Sequence, residues 1–197
     1  NFRTHLVAKT AAPVVSDTGV IIQPSKTFDD CPDPVDILFV PGGNSVKLME
    51  DEATLAFVAA KGRTAQYVTS VCSGSLILAA AGLLRGYRAT SHWAVRDVLA
   101  DFGAQVVAER VVEDRNRITA AGITAGIDFA LTLAGRLRGE RYGQFLELTL
   151  EYNPQPPFGV GSPEKAPPEL LDMMTKMYAP AVNAARQTAR RKADLTR

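Results

Sequence analysis

Short apolar segments alternate with longer amphipathic segments along most of this chain. Two of the short segments, residues 35–40 and 67–71, are rich in apolar and β-branched side chains, as strands buried within a parallel sheet are. Each is followed by small or turn-forming residues and then by a segment with helical spacing. This pattern predicts two successive strand–turn–helix units, with the strand over residues 35–40 buried on both faces.

The rest of the chain continues the alternation. Strands are predicted at residues 5–8 and 87–90, a hairpin at residues 14–22 turning at Asp17-Thr18-Gly19, and a strand pair at residues 105–113 and 117–120. Helices are predicted from Asn44 or Ser45 to about Gly62, from the turn after residue 71 to Gly82, and over residues 93–102, 124–138 and 142–152. A last helix is predicted after Pro168, with Met174 and Met177 on its core-facing side. The expected fold is α/β, with a mainly parallel sheet and helices on both faces.

Composition and charge limit the kinds of binding partner that the chain is expected to have. Of 197 residues, 46% are hydrophobic and 22% charged, and the net charge of +1 gives no reason to expect nucleic acid or a membrane surface as partner. No apolar run approaches the ~20 residues that span a bilayer. Cys31 and Cys72 are the only cysteines, too few for a disulfide framework or a zinc set, so we expect no metal, no cofactor and a cytoplasmic location.

Cys72 is the main candidate for chemistry. It follows the predicted strand at residues 67–71 and precedes Ser73, Gly74 and a predicted helix, an arrangement like the nucleophile elbow of hydrolases. Unpaired amides at a helix N-terminus favour thiolate over thiol, which makes a nucleophile. A buried, inert cysteine is the alternative. Cys31 lies in a predicted loop with no such neighbours.

Pro41, Gly42 and Gly43 end the other predicted buried strand. Because the carboxyl ends of parallel strands share one sheet edge, this turn and Cys72 would face each other if their strands are neighbours. The amides of Gly42, Gly43 and Ser73 could then stabilise negative charge on a substrate bound to Cys72. A simple tight turn is the alternative interpretation of the two glycines.

Four stretches together resemble the ThiJ/PfpI superfamily, and within it most closely the isocyanide hydratases. These are residues 39–43, 71–74, 88–93 and 122–128, and the likeness continues through residues 150–158. The resemblance implies a flavodoxin-like three-layer sandwich, similar to class I glutamine amidotransferases, in a homodimer. It also implies Cys72 as the nucleophile, Ser73 in place of the family's threonine, and Ile123 among the residues that bind substrate or developing charge.

The same resemblance implies an acidic residue from a first strand and helix that these residues do not contain. We therefore expect one domain over residues 1–197 that lacks its natural first strand and helix. Asp17, Glu50 and Asp51 are poor substitutes, because one lies in a turn and two are expected to be solvated. The basic segment at residues 186–197 is expected to be a solvated or frayed tail.

The implied reaction converts an isocyanide to an N-substituted formamide through a cysteine thioimidate. A glyoxalase or deglycase acting on small dicarbonyls would use the same thiolate, and a non-enzymatic sensory domain of a transcriptional regulator is the third alternative. His92 is a possible partner of Cys72, although a structural role is the preferred interpretation. The loop at residues 152–168, with Tyr152 and Phe158, is expected to dock at a dimer interface.

Overall fold

The computed structural model describes residues 2–16 and 18–194, so Asp17 of the predicted hairpin turn and residues 195–197 of the predicted tail lie outside the described residues. The strands are β1 Val7–Ala8, β2 Val14–Val15, β3 Ile21–Ile22, β4 Lys26–Thr27, β5 Ile37–Val40, β6 Tyr67–Val71, β7 Arg88–Ala89, β8 Gln105–Val106, β9 Val111–Asp114 and β10 Arg117–Ala120. The helices are α1 Ser45–Leu48, α2 Glu52–Thr64, α3 Gly74–Ala80, α4 Ala125–Arg138, α5 Glu140–Thr149 and α6 Pro168–Asp194, with a 3₁₀ helix over Arg96–Phe102.

A four-stranded sheet in the order β5-β6-β10-β9 forms the centre of the molecule. Strands β5, β6 and β10 are parallel, and β9 runs antiparallel to β10. The register pairs Val40 with Ser70 and Ala120 with Val71, so the three parallel strands end at the same edge. The predicted mainly parallel α/β fold is therefore confirmed.

Helices cover both faces of this sheet and make it a three-layer sandwich. Helices α2 and α3 pack on one face together with the 3₁₀ helix and α6, and α4 lies on the other face with α5 beside it. The first core contains the fully buried Leu78 and Leu99, and the second contains Ile118 and Phe129. Because the two central strands, β6 and β10, are buried between these apolar layers, their ends are held in fixed positions relative to each other.

The segment after β5 differs from the prediction in two ways. The helix expected from residue 44 or 45 to about residue 62 is divided into α1 and α2, because Asp51 accepts a hydrogen bond from the Thr54 amide and starts a new helix. Phe39 is 48% exposed, so the prediction that this strand is buried on both faces was wrong. Within the described chain β5 pairs with β6 alone, and Phe39 stacks on Phe129 at 5.7 Å.

The region from residue 87 to residue 120 is also more divided than predicted. The strand expected over residues 105–113 is interrupted: β8 pairs in parallel with β7, whereas β9 pairs with β10. The helix expected over residues 93–102 is a 3₁₀ helix that begins at Arg96. Gly103 ends it with a φ of +81°, the left-handed conformation that glycine commonly adopts after the last residue of a helix.

Helix α6 continues well into the segment that was predicted to be a solvated tail. Thr188 and Ala189 are buried, and the Thr188 hydroxyl donates to Glu50 Oε1 at 2.8 Å, so the tail prediction was wrong for these residues. Glu50 also forms an ion pair with Arg191; it is exposed, as expected, but it lies in the turn between α1 and α2 rather than in a helix. Met177 is 59% exposed and is not the core residue that helical spacing predicted.

We expect Gly74→Ala to destabilise the fold, because the added Cβ would lie 2.1 Å from the Val40 carbonyl oxygen, a backbone atom that cannot rotate away. Overpacking of this kind costs about 1–3 kcal/mol or more. Gly135→Ala is the matched control, since it lies inside α4 with no atom within 4 Å of its Cβ position and should gain about 0.5–1 kcal/mol. Urea midpoints measure both, and equal midpoints would contradict the close contact at Gly74.

Candidate active site

Cys72 stands on a sharp turn between β6 and α3. Its φ is +59°, a left-handed conformation that costs a non-glycine residue about 1–3 kcal/mol. The Cys72 amide donates to the carbonyl oxygens of Ala120 at 3.0 Å and Ala121 at 2.7 Å, and the Cys72 carbonyl accepts from the hydroxyls of Ser75 at 3.2 Å and Ser91 at 3.0 Å. These bonds hold the strained backbone in place, as the predicted nucleophile elbow requires.

The Pro41-Gly42-Gly43 turn lies directly against this elbow, as expected for neighbouring parallel strands. A Cβ on Gly42 would lie 2.7 Å from Cys72 Cβ and 3.1 Å from Cys72 Sγ and from the Ser73 amide nitrogen. Gly43 has a φ of +146°, which favours glycine. Glycine is therefore required at position 42 by the close packing of the two turns and favoured at position 43 by the backbone conformation. The space in front of the thiol exists because Gly42 has no side chain.

A second serine, Ser45, joins the site through Ser73. The Ser45 and Ser73 hydroxyl oxygens are 2.8 Å apart, and the Ser73 hydroxyl also contacts the amide and the carbonyl of Gly43, each at 3.2 Å. Because the Gly43 amide donates to Ser73, the expected oxyanion role of this amide does not match the observed arrangement. The Ser45–Ser73–Gly43 network instead fixes the turn against the elbow.

All the residues that the sequence suggested for the site line one cavity of about 830 Å³: Gly42, Gly43, Cys72, Ser73, His92 and Ile123. The other lining residues come from β5, α1, α3, α4, α6 and the segment before the 3₁₀ helix, and most are apolar. No Asp, Glu, Lys or Arg lines the cavity in the described part of the chain. Ile123, in the turn before α4, is 83% exposed and forms its rim.

His92 lies on the cavity wall in an aromatic environment. Its ring centroid is 5.7 Å from that of Trp93 and 5.4 Å from that of Tyr178, and its Nδ1 accepts a hydrogen bond from the Ala94 amide at 3.3 Å. Burial lowers the pKa of His92 below its usual 6.5, which favours the neutral ring. With Nδ1 occupied as an acceptor, Nε2 carries the hydrogen, so the neutral ring can donate but cannot accept a proton from Cys72.

Glu50 and Asp51, two of the three carboxylates that were weighed as substitutes, lie away from this cavity. Glu50 binds the C-terminal part of α6, and Asp51 caps α2 and pairs with Lys9 at 2.9 Å. Cys31 also lies elsewhere, where its carbonyl accepts from Lys61 Nζ at 3.3 Å. Among residues 2–16 and 18–194 no three His, Cys, Asp or Glu side chains form a group that could hold a metal. No helix in the same residues is long and apolar enough to cross a membrane.

Several lining residues were not predicted for the site from the sequence, among them Ser45, Tyr178 and Ala181. Ser45 was considered only as a helix cap, and neither Tyr178 nor Ala181 was considered for the site at all. The serine could have been suspected from its place just after the Pro41-Gly42-Gly43 turn. The two residues of α6 carried no signal, because their position depends on how a distant helix packs.

Comparison with known proteins places this geometry in a family. The model of the DJ-1/PfpI family matches residues 1–136. The chain belongs to the DJ-1/PfpI family. It is 51% identical over 192 residues to the isonitrile hydratase of Pseudomonas putida, covering 97% of this chain and 84% of that protein. The crystal structure of a ThiJ/PfpI family protein from Pseudomonas syringae superimposes with a TM-score of 0.91 at 49% identity, covering 94% of this chain and 77% of that one.

A family relative with a different role is similar over a shorter region. The HTH-type transcriptional regulator GbdR of Pseudomonas aeruginosa is 33% identical over 140 residues, which cover 70% of this chain and 38% of the regulator. In the present chain the described residues from Pro168 onward form the single helix α6 rather than two helices joined by a turn. The family identity is therefore clear, and the hydratase relative is similar over much more of its own length.

The lowered pKa of His92 predicts how stability changes with pH. Below pH 6.5 the unfolded chain binds a proton at His92 while the folded chain still resists it, so this histidine contributes stability that is lost as the pH falls through 6.5 toward the folded pKa. We expect His92→Gln to flatten the fall in urea midpoint between about pH 7 and about pH 5. His5→Gln controls for removing one titratable side chain, and an unchanged slope in His92→Gln would contradict the burial of the ring.

Proposed function

We propose that this protein is an isocyanide hydratase in which Cys72 is the nucleophile. The observation that carries the proposal is a half-buried cysteine in a left-handed conformation on the wall of an uncharged cavity, in a chain similar to an isonitrile hydratase over 97% of its length. An isocyanide is small, neutral and electrophilic at its terminal carbon. Such a substrate needs a sulfur nucleophile and an apolar cavity, and Cys72 lines a cavity that is mostly apolar.

The proposed reaction adds one water to the substrate. The Cys72 thiolate attacks the terminal carbon of R–NC while that carbon takes a proton from solvent in the open cavity, which gives the thioimidate R–N=CH–S–Cys. Water then adds to the same carbon and the nitrogen takes a proton, which gives a tetrahedral species. Collapse of this species passes the hydroxyl proton to solvent, which balances the proton taken in the first step, while the carbonyl forms, the thiolate leaves and the formamide R–NH–CHO is released.

Residues around Cys72 have separate proposed roles in these steps. The Ser73 amide, which faces the space left by Gly42, is placed to stabilise negative charge on the adduct, and the Ser45–Ser73 pair keeps the turn in position. Ile123 covers the cavity entrance and limits the access of bulk water. His92 contributes a neutral Nε2–H donor to the wall and is not the base that activates Cys72, because its Nδ1 is already bonded to the Ala94 amide.

The cavity favours this activity over dicarbonyl chemistry. A glyoxalase or deglycase substrate carries several hydroxyl and carbonyl oxygens that need hydrogen-bond partners, since an unpaired polar group removed from water costs about 1–3 kcal/mol. Most lining residues here are apolar, and the Ser45 and Ser73 hydroxyls already bond each other. A substrate with one reactive carbon and an apolar substituent fits these surroundings better.

We further propose a homodimer in the cytoplasm, acting on a small molecule. The exposed apolar side chains of Phe145, Leu148 and Phe158, on α5 and the loop that follows it, offer a surface that a second copy would cover. A free thiolate nucleophile needs the reducing conditions of the cytoplasm. Light scattering at micromolar concentration tests the assembly: a dimer is expected, and a monomer alone would contradict it.

We expect Cys72→Ala to abolish formation of the formamide, because no other described residue of the cavity is a thiol. Formamide release is followed by mass spectrometry with an alkyl isocyanide as substrate. Cys31→Ala is the matched control and should keep full activity, since Cys31 lies outside the cavity. Circular dichroism checks that both variants are folded. Hydration at the native rate by folded Cys72→Ala would contradict the proposed function.

A further inference from the structure

Helix α6 supplies a wall of the cavity that holds Cys72. Tyr178 and Ala181 line the cavity from this helix, beside Val46 of α1 and Val95 just before the 3₁₀ helix. Ala181 is exposed, so its methyl group borders open space rather than packed core. The side of the cavity formed by Val46, Val95 and Ala181 is therefore lined by small apolar groups.

This wall is held firmly in place. Ala185 and Ala189, one and two turns further along α6, are fully buried in the core, and Thr188 bonds to Glu50. Near the other end of the wall, the Tyr178 ring lies 5.8 Å from the Trp93 ring in an edge-on arrangement. Because α6 is anchored on both sides of Ala181, a larger side chain at this position would reduce the space on this side of the cavity.

The Tyr178 ring separates the apolar main cavity from a smaller, more polar one. It lines the main cavity on one side and a smaller cavity of about 210 Å³ on the other. The smaller cavity contains Asp97 and Arg186, whereas the main cavity contains no charged side chain among the described residues. An apolar substituent is therefore confined to the main cavity, between the thiol and the α6 wall.

We infer that Ala181 is a specificity-determining residue that sets the largest apolar substituent an isocyanide can carry at Cys72. The inference rests on the proposed function and narrows its substrate class to isocyanides with a bulky uncharged group, such as benzyl. A cavity of about 830 Å³ is within the range of sites that hold such molecules. A carboxylate on the substituent would lose its hydration without gaining a cationic partner on this wall.

The test compares benzyl isocyanide with methyl isocyanide in the wild type, Ala181→Val and Ala181→Leu. Since even one methylene changes discrimination by about tenfold or more in a confined apolar site, the benzyl-to-methyl ratio of kcat/KM should fall at least about tenfold in Ala181→Leu. It should fall by an intermediate amount in Ala181→Val. Ala56→Leu is the matched control, because it makes the same change at an exposed position of α2, away from the cavity, and should keep the wild-type ratio.

Binding separates failure of this inference from failure of the proposed function. Calorimetry with N-benzylformamide should show a Kd at least about tenfold weaker in Ala181→Leu than in the wild type, whether or not either protein hydrates isocyanides. If the wild type hydrates neither isocyanide, the proposed function fails while the binding comparison still tests the wall. Equal affinities, or a kcat/KM ratio within about twofold of wild type in folded Ala181→Leu and Ala181→Val, would overturn the role of Ala181.

Discussion

The contact between the end of β5 and the start of α3 is the constraint on which the rest of the site depends. Gly74 approaches the Val40 and Pro41 carbonyl oxygens so closely that no side chain fits between them. This approach brings the turn after β5 onto the turn after β6, and Cys72 takes its left-handed conformation between them. The thiol, the Ser73 amide and the cavity mouth are all positioned by this one contact.

The elbow stores strain that neighbouring groups offset. A left-handed cysteine costs about 1–3 kcal/mol, and a hydrogen bond returns about 1 kcal/mol net, so the bonds from Ala120, Ala121, Ser75 and Ser91 to the Cys72 backbone are of the right order to hold it. They engage only backbone atoms and leave the sulfur free for chemistry. The cavity in front of the sulfur lacks charged side chains in the described residues, which suits a neutral substrate rather than an ionic one.

The features that the sequence predicted well are those encoded locally. The apolar run before Cys72 and the glycine after Ser73 predict the elbow, and two successive strand–turn–helix units predict that their turns meet at one sheet edge. Features that depend on distant packing were not predictable in this way. Thr188 was predicted to belong to a solvated basic tail, but it is buried against Glu50. Nothing in the sequence distinguishes Ala181 from other helical alanines, but it lines the cavity. Asp51 divides the helix that was predicted to reach Gly62, because its carboxylate accepts a hydrogen bond from the Thr54 amide. The capping residue was visible in the sequence, but the apolar spacing on either side of it favoured one continuous helix.

The proposed function requires Cys72 to be a reactive nucleophile rather than a buried, inert side chain. Brief treatment with iodoacetamide at neutral pH, followed by mass spectrometry, tests this directly, because alkylation follows thiolate character and access. Cys31 is an internal reference, since both cysteines are half-buried. Cys72 is expected to be alkylated first, and Cys31 much more slowly. Faster labelling of Cys31, or labelling of Cys72 only after unfolding, would contradict it.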